Sequence, residues 1–163
     1  MAKNKEEKTN VMRVLEQKKI AYTAHTYPHE EGMAVDGVTV AKSMGFDPAI
    51  VFKTLVARGA SKQYYVFDVP VAENLDLKKA AKAVGEKSIE MIHQKELLPL
   101  TGYVHGGCSP VGMKKLFPTV FHETAENLET MIVSAGKIGY QVELAPRDLG
   151  ALVRAKFADI IVE

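Results

Sequence analysis

Val51-Phe-Lys-Thr-Leu-Val-Ala-Arg-Gly-Ala60 and Gln63-Tyr-Tyr-Val-Phe-Asp-Val-Pro-Val71 decide the fold. Both runs are rich in β-branched and aromatic residues, which suit a pleated, half-buried surface. Between them Gly59-Ala60-Ser61-Lys62 supplies a turn, so the pair reads as two strands of a hairpin. Strand alternation sends Phe52, Thr54 and Val56 to one face and Val51, Lys53 and Leu55 to the other. A lysine that shares its face with valine and leucine either snorkels at a sheet edge or lines a site. In a site its ammonium suits a phosphate or a carbonyl, and partial burial lowers its pKa.

Working outward, Lys5–Lys19 carries Val11, Val14 and Leu15 at helical spacing, with Lys and Glu on the other face. Ala21–Thr26 reads as a short strand stopped by Pro28. Asp36 is placed to cap a helix bearing Val38, Ala41 and Met44 and closed by Gly45. Asp76 likewise caps a helix striped by Leu77, Ala80, Ala81 and Val84, with Gly85 at its stop. Thr119–His122, Thr130–Ser134 and Tyr140–Leu144 read as strands, Pro146 opens a helix to Val153, and Phe157–Val162 is a last strand. Strands come in consecutive pairs rather than in strict alternation with helices. The expected class is therefore α/β with a mixed, largely antiparallel sheet, not a dinucleotide-binding fold.

The chain has 163 residues, 47% hydrophobic and 25% charged, which are globular proportions and fit one domain, 1–163. Twenty-one Lys and Arg against twenty Asp and Glu leave a net charge of +1, which excludes a broadly basic nucleic-acid coater. The single cysteine, Cys108, excludes an internal disulfide and a multi-cysteine zinc site, and fits a reducing compartment. No apolar run approaches the roughly 20 residues of a membrane span, and the charged start lacks a signal-peptide core. A soluble, cytoplasmic protein without membrane contact is expected.

Phosphate-loop, dinucleotide, zinc-protease and nucleophile-elbow motifs do not occur. His25 and His29 are four apart, but Pro28 spoils the helical geometry two metal ligands would need, so no metal and no cofactor are expected. Gly102–Gly112 holds four glycines and a proline, and Ser134–Gly139 forms a second glycine loop. Gly106-Gly107 allows backbone amides to turn toward a ligand, and a concave array of amides suits a carboxyl oxygen, a ribose hydroxyl or an oxyanion. A plain turn is the competing reading of the same residues. Cys108 lies in the first loop without an identifiable base beside it, so a buried, inert thiol is favoured over a nucleophile. Lys78, Lys79, Lys82 and Lys87, with Lys114-Lys115, make either a solvated surface or a modest phosphate-binding stripe.

Together these segments resemble the YbaK/EbsC family of the prolyl-tRNA synthetase editing-domain superfamily. The resemblance runs from about Val11 to Ile160. It rests on His25-Thr-Tyr-Pro-His29, Val51-Phe-Lys-Thr-Leu55, Pro70–Gly85, Thr101–Lys115, Ser134-Ala-Gly-Lys137 and Ala155-Lys-Phe-Ala-Asp-Ile160. It implies a barrel-like mixed sheet with surrounding helices and the hydrolysis of a wrong amino acid, cysteine, from tRNA(Pro). It further implies Lys53 as the functional lysine and Tyr27 as the active-site tyrosine. Gly106, Gly107, Cys108, Ser109 and Pro110 would form the loop lining the aminoacyl pocket, with Ser134, Gly136 and Lys137 at its mouth. The implied mechanism is substrate-assisted: the cysteine thiol attacks its own ester carbonyl, Lys53 holds a phosphate or the carbonyl, and the Gly106-Gly107 amides face the oxyanion. The implied partners are mischarged tRNA(Pro) and prolyl-tRNA synthetase. Position 108, usually aliphatic in that family, is Cys here, and position 141, often acidic, is Gln141. A deacylase for another amino acid such as alanine, a non-catalytic binding module and a Cys108-dependent hydrolase remain the alternatives.

Overall fold

The computed structural model describes residues 8–163. The expected first helix begins at Asn10 and ends at Gln17 (α1), and the part of the expectation at Lys5–Glu7 lies outside the described residues. Thr9 caps it by accepting from the Met12 amide, which explains why the helix starts there. There follow β1 (Thr23–Thr26), α2 (Gly37–Met44), β2 (Phe52–Gly59), β3 (Tyr64–Pro70) and α3 (Leu77–Val84). The chain continues with β4 (Ile89–Met91), α4 (Gln94–Thr101), β5 (Thr119–His122), β6 (Met131–Ser134), β7 (Tyr140–Leu144), α5 (Pro146–Val153) and β8 (Lys156–Ala158).

The hairpin is present, with Phe52 opposite Pro70 and Arg58 opposite Tyr64. β2 is loaded on both faces. Phe52 and Val56 enter one core with Val11, Leu15, Phe121 and Val142, whereas Leu55 and Ala57 enter another with Phe67, Val69, Ala80 and Ala81. The alternation seen in the sequence is thus the alternation of two cores.

Five strands run in the order β4-β2-β3-β5-β8, with β5 parallel to both β3 and β8; β1-β7-β6 form a second, antiparallel sheet. The fold is mixed α/β and largely antiparallel, but the sheet is not closed into a barrel. Val51 and Ile132 make an isolated parallel bridge between the two sheets. The ladder stops there because the Val51 carbonyl accepts from the Val71 amide and a 3-10 turn, Pro48–Ile50, precedes it.

Two elements have no clear signature in the sequence. α4 contains Pro99, and both α4 and β4 leave large apolar side chains, Leu98 and Met91, in solvent. The last strand is shorter than Phe157–Val162. After Ala158 the chain turns to give its Ile160 carbonyl to the Asp76 amide, and Ile161 bridges Leu75.

Asp76 anchors α3: its carboxylate accepts from the Lys78 and Lys79 amides, both at 3.0 Å. Asp76→Ala is expected to cost about 1 kcal/mol, read as a lower urea midpoint with an unchanged slope.

Candidate functional site

A cavity of about 370 Å³ opens where the two sheets meet. The five-stranded sheet contributes Lys53 and Thr54, and the three-stranded sheet contributes Ser134 and Gln141. Tyr27 follows β1, Asp36 sits at the N-cap of α2, and Gly106 and Cys108 come from the loop between α4 and β5. Lys53 therefore shares one cavity with residues from five other segments.

Lys53 is half-buried, and burial lowers its ammonium pKa, opposed by the charges of Asp36 and Glu73. Among the described residues its Nζ makes no ion pair. An ammonium without a carboxylate in contact, at the wall of a cavity, is available to an anionic or carbonyl oxygen.

Tyr27 is buried; its amide donates to the Gly139 carbonyl at 3.0 Å, which ties β1 to the second glycine loop. Burial raises its phenol pKa, against a backbone hydrogen bond from Gly139. The phenol is therefore a neutral, shape-giving group at ordinary pH.

The first glycine loop divides into two functions. Gly106, at φ +90, lies close to Ala34: a Cβ there would fall 2.7 Å from the Ala34 Cβ. Among the described residues its amide has no protein acceptor, and the same holds for Cys108. Gly107 behaves differently from the sequence expectation. Its amide donates to the Val104 carbonyl at 2.9 Å, so it is not free for an oxyanion. Its Cα instead lets the loop press on the second loop, where an added Cβ would lie 3.1 Å from the Ile138 amide nitrogen.

Ser109, Pro110, Gly136 and Lys137 do not line the cavity. Ser109 is fully buried and its hydroxyl accepts from the Val111 amide, so it shapes the loop rather than meeting a ligand. Pro110 is buried beside it. Gly136 donates to the Ser134 hydroxyl at 3.0 Å, and a side chain there would strike the Tyr103 ring. The exposed Lys137 places its ammonium 5.4 Å from the centre of the Tyr140 ring.

Cys108 lines the cavity, yet burial and the nearby charge of Asp68 push its thiol up to about 12, against a hydrogen bond with Thr101. A thiol that stays protonated near neutral pH is a poor nucleophile. His25 and His29 do not converge: His25 pairs with Glu143 at 2.8 Å, and His29 bonds the Tyr27 carbonyl at 3.0 Å. No group of three or more His, Cys, Asp or Glu among the described residues is arranged to hold a metal ion.

Two residues of the cavity wall, and one buried beside Thr54, carry no role in the sequence reading. Asp36 is legible there only as a helix cap, Thr54 only as a strand residue, and Asp68 not at all. Asp68 is fully buried on β3, one polar residue in an apolar strand, the same anomaly that makes Lys53 conspicuous.

With this geometry in view, comparison with known proteins is informative. Residues 29–152 match the aminoacyl-tRNA editing domain. The chain belongs to that family. It is 46% identical, over 98% of both chains, to a protein of Enterococcus faecalis (strain ATCC 700802 / V583) named "Putative Cys-tRNA(Pro)/Cys-tRNA(Cys) deacylase EbsC". A crystal structure described as "a putative trans-editing enzyme for prolyl tRNA synthetase" superposes with a TM-score of 0.79 at 25% identity, covering 94% of this chain and 95% of that one. The crystal structure of hypothetical protein APE2540 shares the fold, with a TM-score of 0.82 at 19% identity over 93% of this chain and 99% of that one. Among the described residues no helix is long and apolar enough to cross a membrane.

The buried Asp68 makes stability depend on pH. Burial raises its carboxyl from 3.8 to about 7, opposed by a hydrogen bond from Thr54. The folded state therefore holds a proton that the unfolded chain releases near pH 4, and the associated stability, complete below that pH, is lost as pH rises to 7. Wild type is expected to lose up to about 1.4 kcal/mol per pH unit through this window relative to Asp68→Asn, measured by denaturant titration of both proteins at pH 4–8.

Proposed function

We propose that this chain is a trans-editing deacylase that hydrolyses the ester joining cysteine to tRNA(Pro). The observation that carries the reading is the grouping of Lys53, Tyr27, Gly106 and Ser134 around one cavity whose thiol, Cys108, stays protonated near neutral pH. Membership of the editing family and the printed name of the Enterococcus relative support it.

An enzyme without its own nucleophile works by orientation and charge stabilisation. On this reading the substrate thiol attacks the ester carbonyl. A carbon–sulfur bond forms, the carbon–oxygen bond to the ribose breaks, and the thiol proton passes to the departing hydroxyl. Water then opens the cyclic thioester to free cysteine. Lys53 holds the terminal phosphate or the carbonyl oxygen, and the free amides of Gly106 and Cys108 face the developing oxyanion. Tyr27 and Ser134 wall the pocket. Ser109, Pro110, Gly136 and Lys137 act from behind, by fixing the two loops.

Cysteine and proline are similar in volume, and a pocket that accepts one rejects the other weakly, which is the reason for a second hydrolytic sieve. The tRNA specificity is assigned to prolyl-tRNA synthetase acting beside this chain, because a net charge of +1 gives little counterion release of its own.

Deacylation of a panel of aminoacyl-tRNA species tests the reading. Lys53→Ala, with an unchanged melting temperature, is expected to lower turnover of Cys-tRNA(Pro) by at least about 100-fold, while Cys108→Ala leaves it within about threefold. Alanyl and seryl esters, which carry no thiol, are expected to persist; their hydrolysis at the cysteinyl rate defeats the substrate-thiol step. Binding of tRNA is expected to weaken with salt and to tighten when prolyl-tRNA synthetase is added, as read by filter binding.

A further inference from the structure

A series of rings leads away from the cavity. Tyr27, on the cavity wall, has its ring centre 6.0 Å from that of His29, and His29 lies 6.3 Å from Tyr140. Beyond them stands the Lys137 ammonium, above the Tyr140 ring. The series passes from the buried Tyr27 through the exposed His29 to the half-buried Tyr140, at the end of the three-stranded sheet where Thr26 pairs with Tyr140.

His29 is exposed, yet its ring is held in place. A carbonyl only accepts, so Nδ1 donates to the Tyr27 carbonyl at 3.0 Å, and in the neutral ring Nε2 is left as an acceptor. The imidazole rests on Gly139: a side chain at that position would strike it, and the backbone there has φ +97, a conformation that favours glycine. The Gly139 carbonyl in turn accepts from the Tyr27 amide, so residues 27, 29 and 139 make one clamp. Holding an exposed side chain still costs rotamer entropy. A fixed aromatic plane beside a pocket is what a stacking ligand needs.

Rings and an ammonium in a row suit the unpaired end of a nucleic acid. Every base has a face that stacks on an aromatic plane, and a nearby cation meets the backbone. A run of phosphate contacts fits this rim less well, because Glu30 and Glu31 directly follow His29 and the net charge of the chain is only +1. The lysines of α3 offer no rival track. Lys79 is held by Asp159 and Glu163, and none of Lys78, Lys79 and Lys82 lines the cavity.

We propose that His29 is the stacking platform for the nucleotide that precedes the terminal adenosine of the RNA substrate, with Tyr140 and Lys137 continuing the track beyond it. This rests on the deacylase reading, which puts the aminoacylated adenosine in the cavity, and adds how the single strand leading to it is held. Stacking is tolerant of base identity, so this track binds the unpaired end of any tRNA and leaves the choice among tRNAs to other surfaces.

The test compares cysteine esterified to adenosine with cysteine esterified to the trinucleotide cytidylyl-cytidylyl-adenosine, using wild type, His29→Ala and His29→Phe, with melting temperatures recorded. Wild type is expected to show a KM about tenfold lower for the trinucleotide ester, the effect of one stacked base. His29→Ala is expected to erase that ratio by raising KM for the trinucleotide ester, with kcat within about threefold. His29→Phe, which keeps a ring, retains most of it. Equal KM values for the two esters in wild type overturn the proposal, as does a wild-type ratio in His29→Ala. Proportional losses on both esters in His29→Ala assign the residue to shaping the pocket beside Tyr27 and overturn it too. Absence of turnover by wild type is a separate result that defeats the deacylase reading. The uncharged trinucleotide, carrying a fluorescent purine at its middle position, then decides the proposal: binding that wild type shows and His29→Ala loses supports it, and equal binding by both overturns it.

Discussion

Strand β2 is the constraint from which the rest follows. It has a core on either side, Phe52 and Val56 in one and Leu55 and Ala57 in the other, and it is paired along one edge by β3 and at Ala57–Gly59 by β4. A strand so enclosed cannot slip by one residue without exchanging its two faces. That rigidity is what presents Lys53 and Thr54 to a cavity at fixed positions. On the proposed substrate-thiol reading the site depends on placement above all, and placement here begins with burial of the strand's apolar residues.

The glycine loops complete the placement from the other side. Their mutual approach, with the Cα of Gly107 against the Lys137–Ile138 backbone, excludes side chains from the contact. The result is a division of labour inside one motif. Gly106 offers an amide to the cavity, whereas Gly107 spends its amide on Val104 to hold the bend. Two adjacent glycines that look equivalent in the sequence do unlike things because only one of them sits at the inter-loop contact.

Much of this was legible in the sequence, for physical reasons. Asp36 and Asp76, as caps, mark helix starts that the structure places one residue later, and the hairpin shows its β-branched and aromatic texture directly. Lys53 stands out because a charge interrupts an apolar alternation. β4 and α4 were not legible: the former is three residues long, and the latter runs through a proline. The resemblance to a barrel-like family also overstated closure, since backbone pairing between the sheets ends at Val51. Within the site, sequence pattern found the residues with unusual chemistry but not the direction in which each points. Ser109 looks as available as Ser134, and both hydroxyls accept from the amide two residues on; the difference is that Ser109 is fully buried in its loop whereas Ser134 lines the cavity. Asp68 carried the same anomaly as Lys53, and only the register shows that its hydrogen-bond partner is Thr54.

The isolated bridge at Val51–Ile132 has a mechanical consequence. One half of the cavity wall rides on each sheet, and beyond that bridge their spacing is set by the thickness of the side chains between them, Met131, Val133 and Val142 against Phe52, Val56 and Phe121. These are interchangeable hydrocarbons whose summed volume acts as a spacer. A methylene gained or lost away from the cavity therefore changes the width of the space that Lys53 and Gln141 both line. In such a design, drift of interior residues between relatives is a means of retuning what fits between the walls while every polar group stays the same.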